Sequence, residues 1–268
     1  MRSADHILNQ GNVILGAHRG DNTNFPENTM LAFQAAAAVG ADSVETDVRM
    51  TKDGHLVLIH DKDVERTTNG KGLVADMTLE ELRSLDAGSW KGPEFAGVKI
   101  PRIEELLELI QGTNMFVNWE LKQYPLRMGE ERAYGCIDKL VALLDRYGLI
   151  ERSVMNSFSD CCLEYVDTKW PHTFSILGYP HYTLPKDTPS KPLETFIDWA
   201  GIWNRDSEHP AGYEEDHDFA KANNLATSIL LVHNTEENYR KALDFGCTKF
   251  YSDDPGTAIA ILKKLGAR

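Results

Sequence analysis

The sequence predicts an α/β protein closed into a (β/α)8, TIM-type barrel, with a small insertion after an early strand. Three observations lead there. Short β-branched or apolar runs alternate with helical patterns along the whole chain. Roughly eight such units fit into about 250 residues, the number a closed barrel needs, whereas the competing doubly wound open sheet usually has fewer strands. Histidines, carboxylates and cations also collect at the C-terminal ends of the runs, the face on which barrel enzymes build their sites.

The strand candidates are 13–18, 43–48, 56–60, 116–122, 153–157, 173–178, 199–203, 227–233 and 249–252. Helical patterns occupy 27–39, 102–111, 130–147, 159–168, 212–223, 235–245 and 255–265. End signals support them: Asn234 or Thr235 as an N-cap before Glu236-Glu237, and Gly148 and Gly246 just past helix ends. Residues 61–100 break the alternation. Gly70, Gly72, Gly88, Gly92, Pro93 and Gly97 punctuate them around one short helix that Thr78 opens. At this length the segment is an excursion from the barrel, too small for a core of its own, so residues 1–268 form a single domain. Segment 180–192, rich in Pro and polar residues, is either a lid over the site or a linker.

Of the 268 residues, 42% are hydrophobic and 26% charged, and the formal net charge is −13. That balance argues against nucleic-acid and anionic-membrane binding, which need a basic face. It leaves room for a small anionic substrate, because a metal ion and a few basic side chains reverse the local sign. No apolar run approaches the roughly 20 residues of a membrane span, and the first residues lack the apolar stretch of a signal peptide. Cys136, Cys161, Cys162 and Cys247 are a poor disulfide framework, so four reduced, mostly buried thiols and a cytoplasmic location are expected.

Candidate chemistry begins where an apolar strand, VILGA, runs straight into His18-Arg19-Gly20 and the chain then passes through Pro26-Glu27-Asn28-Thr29. A histidine and an arginine at such a turn make sense around an anionic ligand. Strand side chains alternate faces, so Glu45 and Asp47 share one, as do Asn118, Glu120 and Lys122. If both strands line one barrel mouth, Glu45, Asp47 and Glu120 converge as oxygen ligands for Mg²⁺ or Ca²⁺, and Lys122 suits a phosphoryl oxygen. Two carboxylates pointing together repel unless a cation or shared proton relieves them. His18 ends the first strand and His60 the third; both can move protons near neutral pH, and Arg19 offers a planar fork to phosphate oxygens. Taken singly, a histidine at a strand end is most often a satisfied polar residue and an E-x-D pair a solvated edge. Together, at strand C-termini, they select the functional reading. The cluster His209, Glu214, Glu215, Asp216 and His217 invites a second metal, but an acidic first helical turn accounts for it better.

These residues resemble the glycerophosphodiester phosphodiesterases of the phosphatidylinositol-phospholipase-like barrel superfamily. The resemblance rests on His18-Arg19-Gly20, Pro26-Glu27-Asn28-Thr29, Glu45-Thr46-Asp47, Asp53-Gly54, His60-Asp61, Arg66-Thr67-Thr68-Asn69-Gly70-Lys71-Gly72 and Asn118-Trp119-Glu120-Leu121-Lys122, in family order, with MTLEELRSLDAGSW between. It implies the barrel and its insertion, one divalent cation (Mg²⁺ or Ca²⁺) on Glu45, Asp47 and Glu120, His18 and His60 as acid and base, and phosphate on Arg19 and Lys122. It also implies a small glycerophosphodiester as substrate and no stable membrane association. Glu27 and Asn28 either brace the HRG turn or serve the helix cap. The family's W-T-V-N becomes Leu231-Val232-His233-Asn234, so Leu231 stands where an aromatic residue would line the alcohol pocket, with His233 beside it. The later T-D-x-P becomes Ser252-Asp253-Asp254-Pro255. The competing readings are a related barrel phospholipase D acting on lysophospholipid or sphingolipid head groups, and a non-catalytic phosphodiester-binding barrel. A phosphosugar-isomerase-type barrel fits less well, because NTEENYRK lacks a phosphate-binding glycine.

Overall fold

The computed structural model describes residues 13–182, 184, 186–202, 209 and 211–268. Eight parallel strands close a barrel: β1 (Ile14–His18), β2 (Ser43–Met50), β4 (Phe116–Leu121), β5 (Ser153–Asn156), β6 (Ser175–Gly178), β7 (Trp199–Ile202), β8 (Ala226–Leu230) and β9 (Lys249–Ser252). Each pairs with the next, and β1 pairs with both β9 and β2, which closes the ring. Trp203 of the expected seventh strand lies outside the described residues, as do Thr183 and Pro185 of segment 180–192.

The strands close because their two faces bury different things. Inward, Ile14, Phe116, Val154, Leu177 and Trp199 form an apolar floor. Outward, Val44, Val48, Val117, Trp119 and Met155 meet the helices, chiefly α3 (Ile103–Gln111), α5 (Glu130–Arg146) and α6 (Asp160–Lys169). The other helices are α1 (Met30–Ala38), α2 (Leu79–Ser84), α4 (Pro125–Met128), α7 (Glu214–Ala222), α8 (Glu236–Asp244) and α9 (Pro255–Lys264). Gly16 is required on β1, because a Cβ there would lie 2.2 Å from the ring of Tyr251, which fills the lumen beside it.

The run 56–60 is not a barrel strand. β3 (Leu56–Leu58) pairs antiparallel with the end of β2, Val48 opposite Leu58 and Met50 opposite Leu56. β2 runs two residues past its last pairing with β4, and β3 carries the chain back until Ile59 N–H donates to Asp47 O at 3.1 Å. His60 therefore reaches the barrel mouth by a returning hairpin rather than at the end of a parallel strand. The excursion beyond it does gather apolar side chains: Val64, Val74, Leu82 and Ala87 pack with Val57, Ile59 and Ile100. Its apolar cluster is thus shared with the hairpin that introduces it and is not a core of its own. Thr78 caps α2 with a full capping box to Glu81.

The first helix begins later than expected. Asn28 sits in the left-handed region at φ +54°, so PENT is a turn, and α1 starts after Thr29, whose hydroxyl caps it. Thr235, not Asn234, caps α8. Asn234 instead accepts from Tyr239 and Ser252. All four cysteines are unbridged, three of them buried, and burial pushes the Cys136 and Cys162 thiols up to about 12. No described helix is long and apolar enough to cross a membrane.

Candidate active site

The C-terminal mouth of the barrel opens into a small cavity. His18, Arg19, Glu45, His60, Asn118, Glu120 and Lys122 line one side, and Phe158, Tyr179, Ile202, Ser228, Leu230 and Tyr251 the other.

The pleat brings the acidic residues together. Glu45 and Glu120 point into the lumen from β2 and β4, in strands whose register sets Glu45 against Asn118 and Asp47 against Glu120. Glu45, Asp47 and Glu120 are buried and offer oxygens all within 4.8 Å of one another. Asp47 is fully enclosed: Asn28 Nδ2 donates to its Oδ2 at 2.7 Å, Lys122 Nζ lies 3.2 Å from its Oδ1, and Arg19 Nε lies 3.5 Å from Oδ2. Lys122 also contacts Glu120, so its ammonium folds over the carboxylates.

Electrostatics divide the three acids. Burial works against the charge of Asp47, but Lys122 and Arg19 outweigh it and hold this carboxyl far below the usual carboxylate range. Glu45 is pushed well above that range by burial and by Asp47 and Glu120. Its Oε1 and the nearby Asn118 Oδ1 are buried with no hydrogen-bond donor. Hard oxygen donors, crowded like charges and undonated buried oxygens are what a divalent cation satisfies, so the donor set fits Mg²⁺ or Ca²⁺.

The HRG turn is built around these acids. Arg19 adopts φ +55° and Gly20 φ +80°, and a Cβ on Gly20 would strike the Ala32 backbone at 2.6 Å. Arg19 N–H donates to Glu45 Oε2 at 3.0 Å, and Asn28 N–H donates to Arg19 O at 3.0 Å. Asn28 Oδ1 accepts from Thr46 Oγ1 at 2.7 Å, so this one amide ties the turn to β2. Glu27 accepts from Arg19 at 2.9 Å and from Arg66 at 2.7 Å. Both residues of the pair therefore brace the turn.

Each histidine is held by a carboxylate. His18 Nδ1 lies 2.6 Å from Asp253 Oδ1, which Asn22 Nδ2 also reaches at 2.6 Å. His60 Nδ1 lies 2.7 Å from Asp61 Oδ1, and Arg66 Nε donates to Asp61 Oδ2 at 2.5 Å. His18 Nε2 is thereby directed toward Glu45, 3.9 Å away. Burial lowers the pKa of His60. Sequence reasoning noted Asp61 and Asp253 as motif letters without their use. Asp61 adjoins its histidine, but Asp253 is 235 residues from His18 and only the closed ring joins them.

One expectation, the place of Leu231, needs correction, while His233 and the cluster after residue 208 stay out of the cavity as the sequence favoured. Leu231 does not face the cavity: it is buried outside the barrel with Ile229 and Tyr239, and its neighbour Leu230 lines the lumen. Strand parity decides this, since Ser228 and Leu230 share the inward face. His233 is exposed and is not on the cavity wall. The cluster after residue 208 does not converge: His217 Nε2 bonds Ala211 O at 2.8 Å and its ring stacks on Phe245, Asp216 holds His181 and Tyr182, and His209 stacks on Tyr213.

A TIM barrel with a buried carboxylate triad, two carboxylate-held imidazoles and two cations at its mouth is laid out for hydrolysis of a phosphoric ester. Residues 18–257 match the Glycerophosphoryl diester phosphodiesterase family, and the chain belongs to that family: it is a phosphoric diester hydrolase. It is 46% identical over 257 residues to the glycerophosphodiester phosphodiesterase of Caldanaerobacter subterraneus subsp. tengcongensis, covering 93% of this chain and 98% of that one. It is 33% identical to the Bacillus altitudinis glycerophosphodiester phosphodiesterase, over 93% and 98% of the two chains. Among solved structures, a putative glycerophosphoryl diester phosphodiesterase from Silicibacter pomeroyi is similar at TM-score 0.82 and 25% identity, with 99% of both chains covered. An Oleispira antarctica phosphodiesterase in complex with its product sn-glycerol-3-phosphate is similar at TM-score 0.79 and 27% identity, over 93% of this chain and 96% of that one.

Proposed function

We propose that the chain hydrolyses glycerophosphodiesters to glycerol 3-phosphate and an alcohol, with His18 and His60 exchanging the protons and Arg19 and Lys122 holding the phosphate. The observation that carries this is the pair of imidazoles on one cavity wall, each with Nδ1 engaged by a carboxylate. That leaves Nε2 of each for the substrate and stabilises the imidazolium that forms. One histidine withdraws a proton from the attacking oxygen and the other delivers one to the departing alkoxide.

Glu45, Asp47 and Glu120 would hold one divalent cation, Mg²⁺ or Ca²⁺, supplying charge neutralisation at the non-bridging oxygens. Arg19 keeps its guanidinium charged, since Asp47, Glu27 and Glu45 outweigh the opposing effect of burial. It is therefore a permanent donor beside the anion. The attacking oxygen is either water or the neighbouring hydroxyl of glycerol, which would pass through a cyclic phosphate. The proposal takes residues 1–268 as one phosphodiesterase unit with its insertion at about 61–100. The four unbridged cysteines support a reducing compartment, the cytoplasm.

The test is release of glycerol 3-phosphate from choline, ethanolamine, glycerol and inositol glycerophosphodiesters, each with EDTA, Mg²⁺ or Ca²⁺. Cation-dependent release of glycerol 3-phosphate is the expected result. A chain that binds the cation yet turns over none of the four acts on a different phosphodiester, and the reading fails.

A further inference from the structure

The cavity is not closed on the His60 side. Past His60, Lys122 and Phe158, which border both spaces, lies an open groove. Arg49, Lys62 and Arg127 stand on the groove wall, with Asp61 and Asp63 the carboxylates among them. Asp61 is already engaged by His60 and Arg66. Lys62 and Arg127 form no ion pair with a described residue, and Arg127 lies over the ring of Tyr124, 5.3 Å from its centroid. Arg49 donates to His60 O at 2.6 and 3.0 Å and to Lys122 O at 3.4 Å, so its guanidinium meets backbone at the junction. Among the described residues, Lys62 and Arg127 thus stand as unpaired cations beside Asp63 on the wall of a chain whose net charge is −13. A local reversal of sign on that background favours an anionic occupant.

The rest of the cavity suits the other end of the substrate. The wall away from the groove is Tyr179, Ile202, Leu230 and Tyr251, with Ser228 the small polar residue among them. With the uncharged glycerol set against that wall, the variable half of the substrate would lie on the groove side of His60. We propose that the groove bearing Lys62 and Arg127 receives the alcohol half, and that the enzyme prefers glycerophosphodiesters whose alcohol carries a negative charge, a carboxylate or a second phosphate, over choline esters. This rests on the phosphodiesterase reading above and names its substrate class. An acidic leaving group sits against the cations, whereas a quaternary ammonium is repelled by them.

The experiment compares kcat/KM for four glycerol phosphodiesters: the glycolate ester, the inositol 4-phosphate ester, the neutral glycerol ester and the choline ester. The expected result is a preference of about tenfold or more for the two anionic esters over choline at low salt, shrinking as salt screens the groove. In the double variant Lys62→Glu with Arg127→Glu the ratio should fall by about tenfold or invert. The glycolate and inositol phosphate arms separate carboxylate recognition from phosphate recognition. Turnover of the neutral ester without any anionic preference overturns this proposal alone. So does an anionic preference that neither salt nor the double variant moves. Wild-type enzyme inert on all four overturns the phosphodiesterase reading, and this proposal with it.

Discussion

The two arcs of the barrel mouth are made from different halves of the chain and carry different kinds of residue. The arc of β1, β2 and β4, with the β3 hairpin, comes from the first 122 residues and holds the imidazoles, carboxylates and cations. The arc of β5 to β9 contributes aromatic and aliphatic side chains, with Ser228 as its polar member on the wall. The first arc is rigid by construction: Asn28, Glu27 and Arg66 join the HRG turn to β2 and to Asp61 through short bonds. Its charged groups are costly to keep desolvated and are held only because each has a partner. The second arc shapes the pocket and makes few such demands. Chemistry and substrate shape are thus divided around one ring, with Asp253, on the far arc, reaching back to orient His18.

The division is tested most severely by removing the two histidines. His18→Ala or His60→Ala should lower kcat by about 10²–10⁴-fold, while calorimetry of the purified variants shows cation binding retained. Near-normal turnover in either variant would remove that histidine from the mechanism. A register test on the opposite arc comes next. Leu231→Ala should cost about 2–5 kcal/mol in urea denaturation, because it hollows the core outside the ring. Leu230→Ala should leave stability closer to wild type and change KM. The reverse pattern would mean that Leu231, not Leu230, faces the lumen.

Smaller effects are expected one step away from the reacting atoms. Asp253→Asn and Asp61→Asn keep the shape but exchange an acceptor that stabilises imidazolium for a neutral amide. Each should cost about 10–100-fold in kcat, comparable to the loss of an outer partner at other sites. The smallest effect lies in the floor beneath both arcs. Lys249 is buried there on β9, its Nζ 4.9 Å from the centre of the Trp199 ring, and burial pulls its pKa down to about 8 from 10.5. The folded state disfavours its proton, so the cost of burying the charge is absent above the unfolded pKa near 10.5, grows as pH falls and is complete below about 8. Lys249→Met should raise stability at pH 7 by about 1–3 kcal/mol, and the gain should shrink toward pH 10.5. A Met variant less stable than wild type at pH 7 would mean the ammonium is held there by more than its burial costs.

The two arcs also differ in how far the sequence reveals them. Glu45, Asp47 and Glu120 could be placed because strand alternation and residue type say the same thing, and carboxylates crowded on one buried face repel unless a cation or a shared proton joins them. Leu230 could not, because motif spacing suggested Leu231 and apolar residues on both faces of a buried parallel strand hide the parity. The hairpin nature of β3 was hidden for a similar reason: a short apolar run reads alike whether parallel or returning. Asn28 reads equally as a helix cap or a brace of the turn until its left-handed backbone and its bonds to Asp47 and Thr46 decide for the brace. The contact of His18 with Asp253 spans 235 residues and exists only when the ring closes.

The most direct test of the account is to strip the purified protein with EDTA, then follow hydrolysis of the glycerol phosphodiester while Mg²⁺ or Ca²⁺ is titrated back, with binding measured by calorimetry on the same sample. The account predicts no turnover when stripped, one cation bound per chain, recovery that tracks occupancy, and no recovery in Glu120→Gln. Full turnover in the stripped protein would contradict it, for the carboxylate triad would then be a structural cluster and the histidines would act without it.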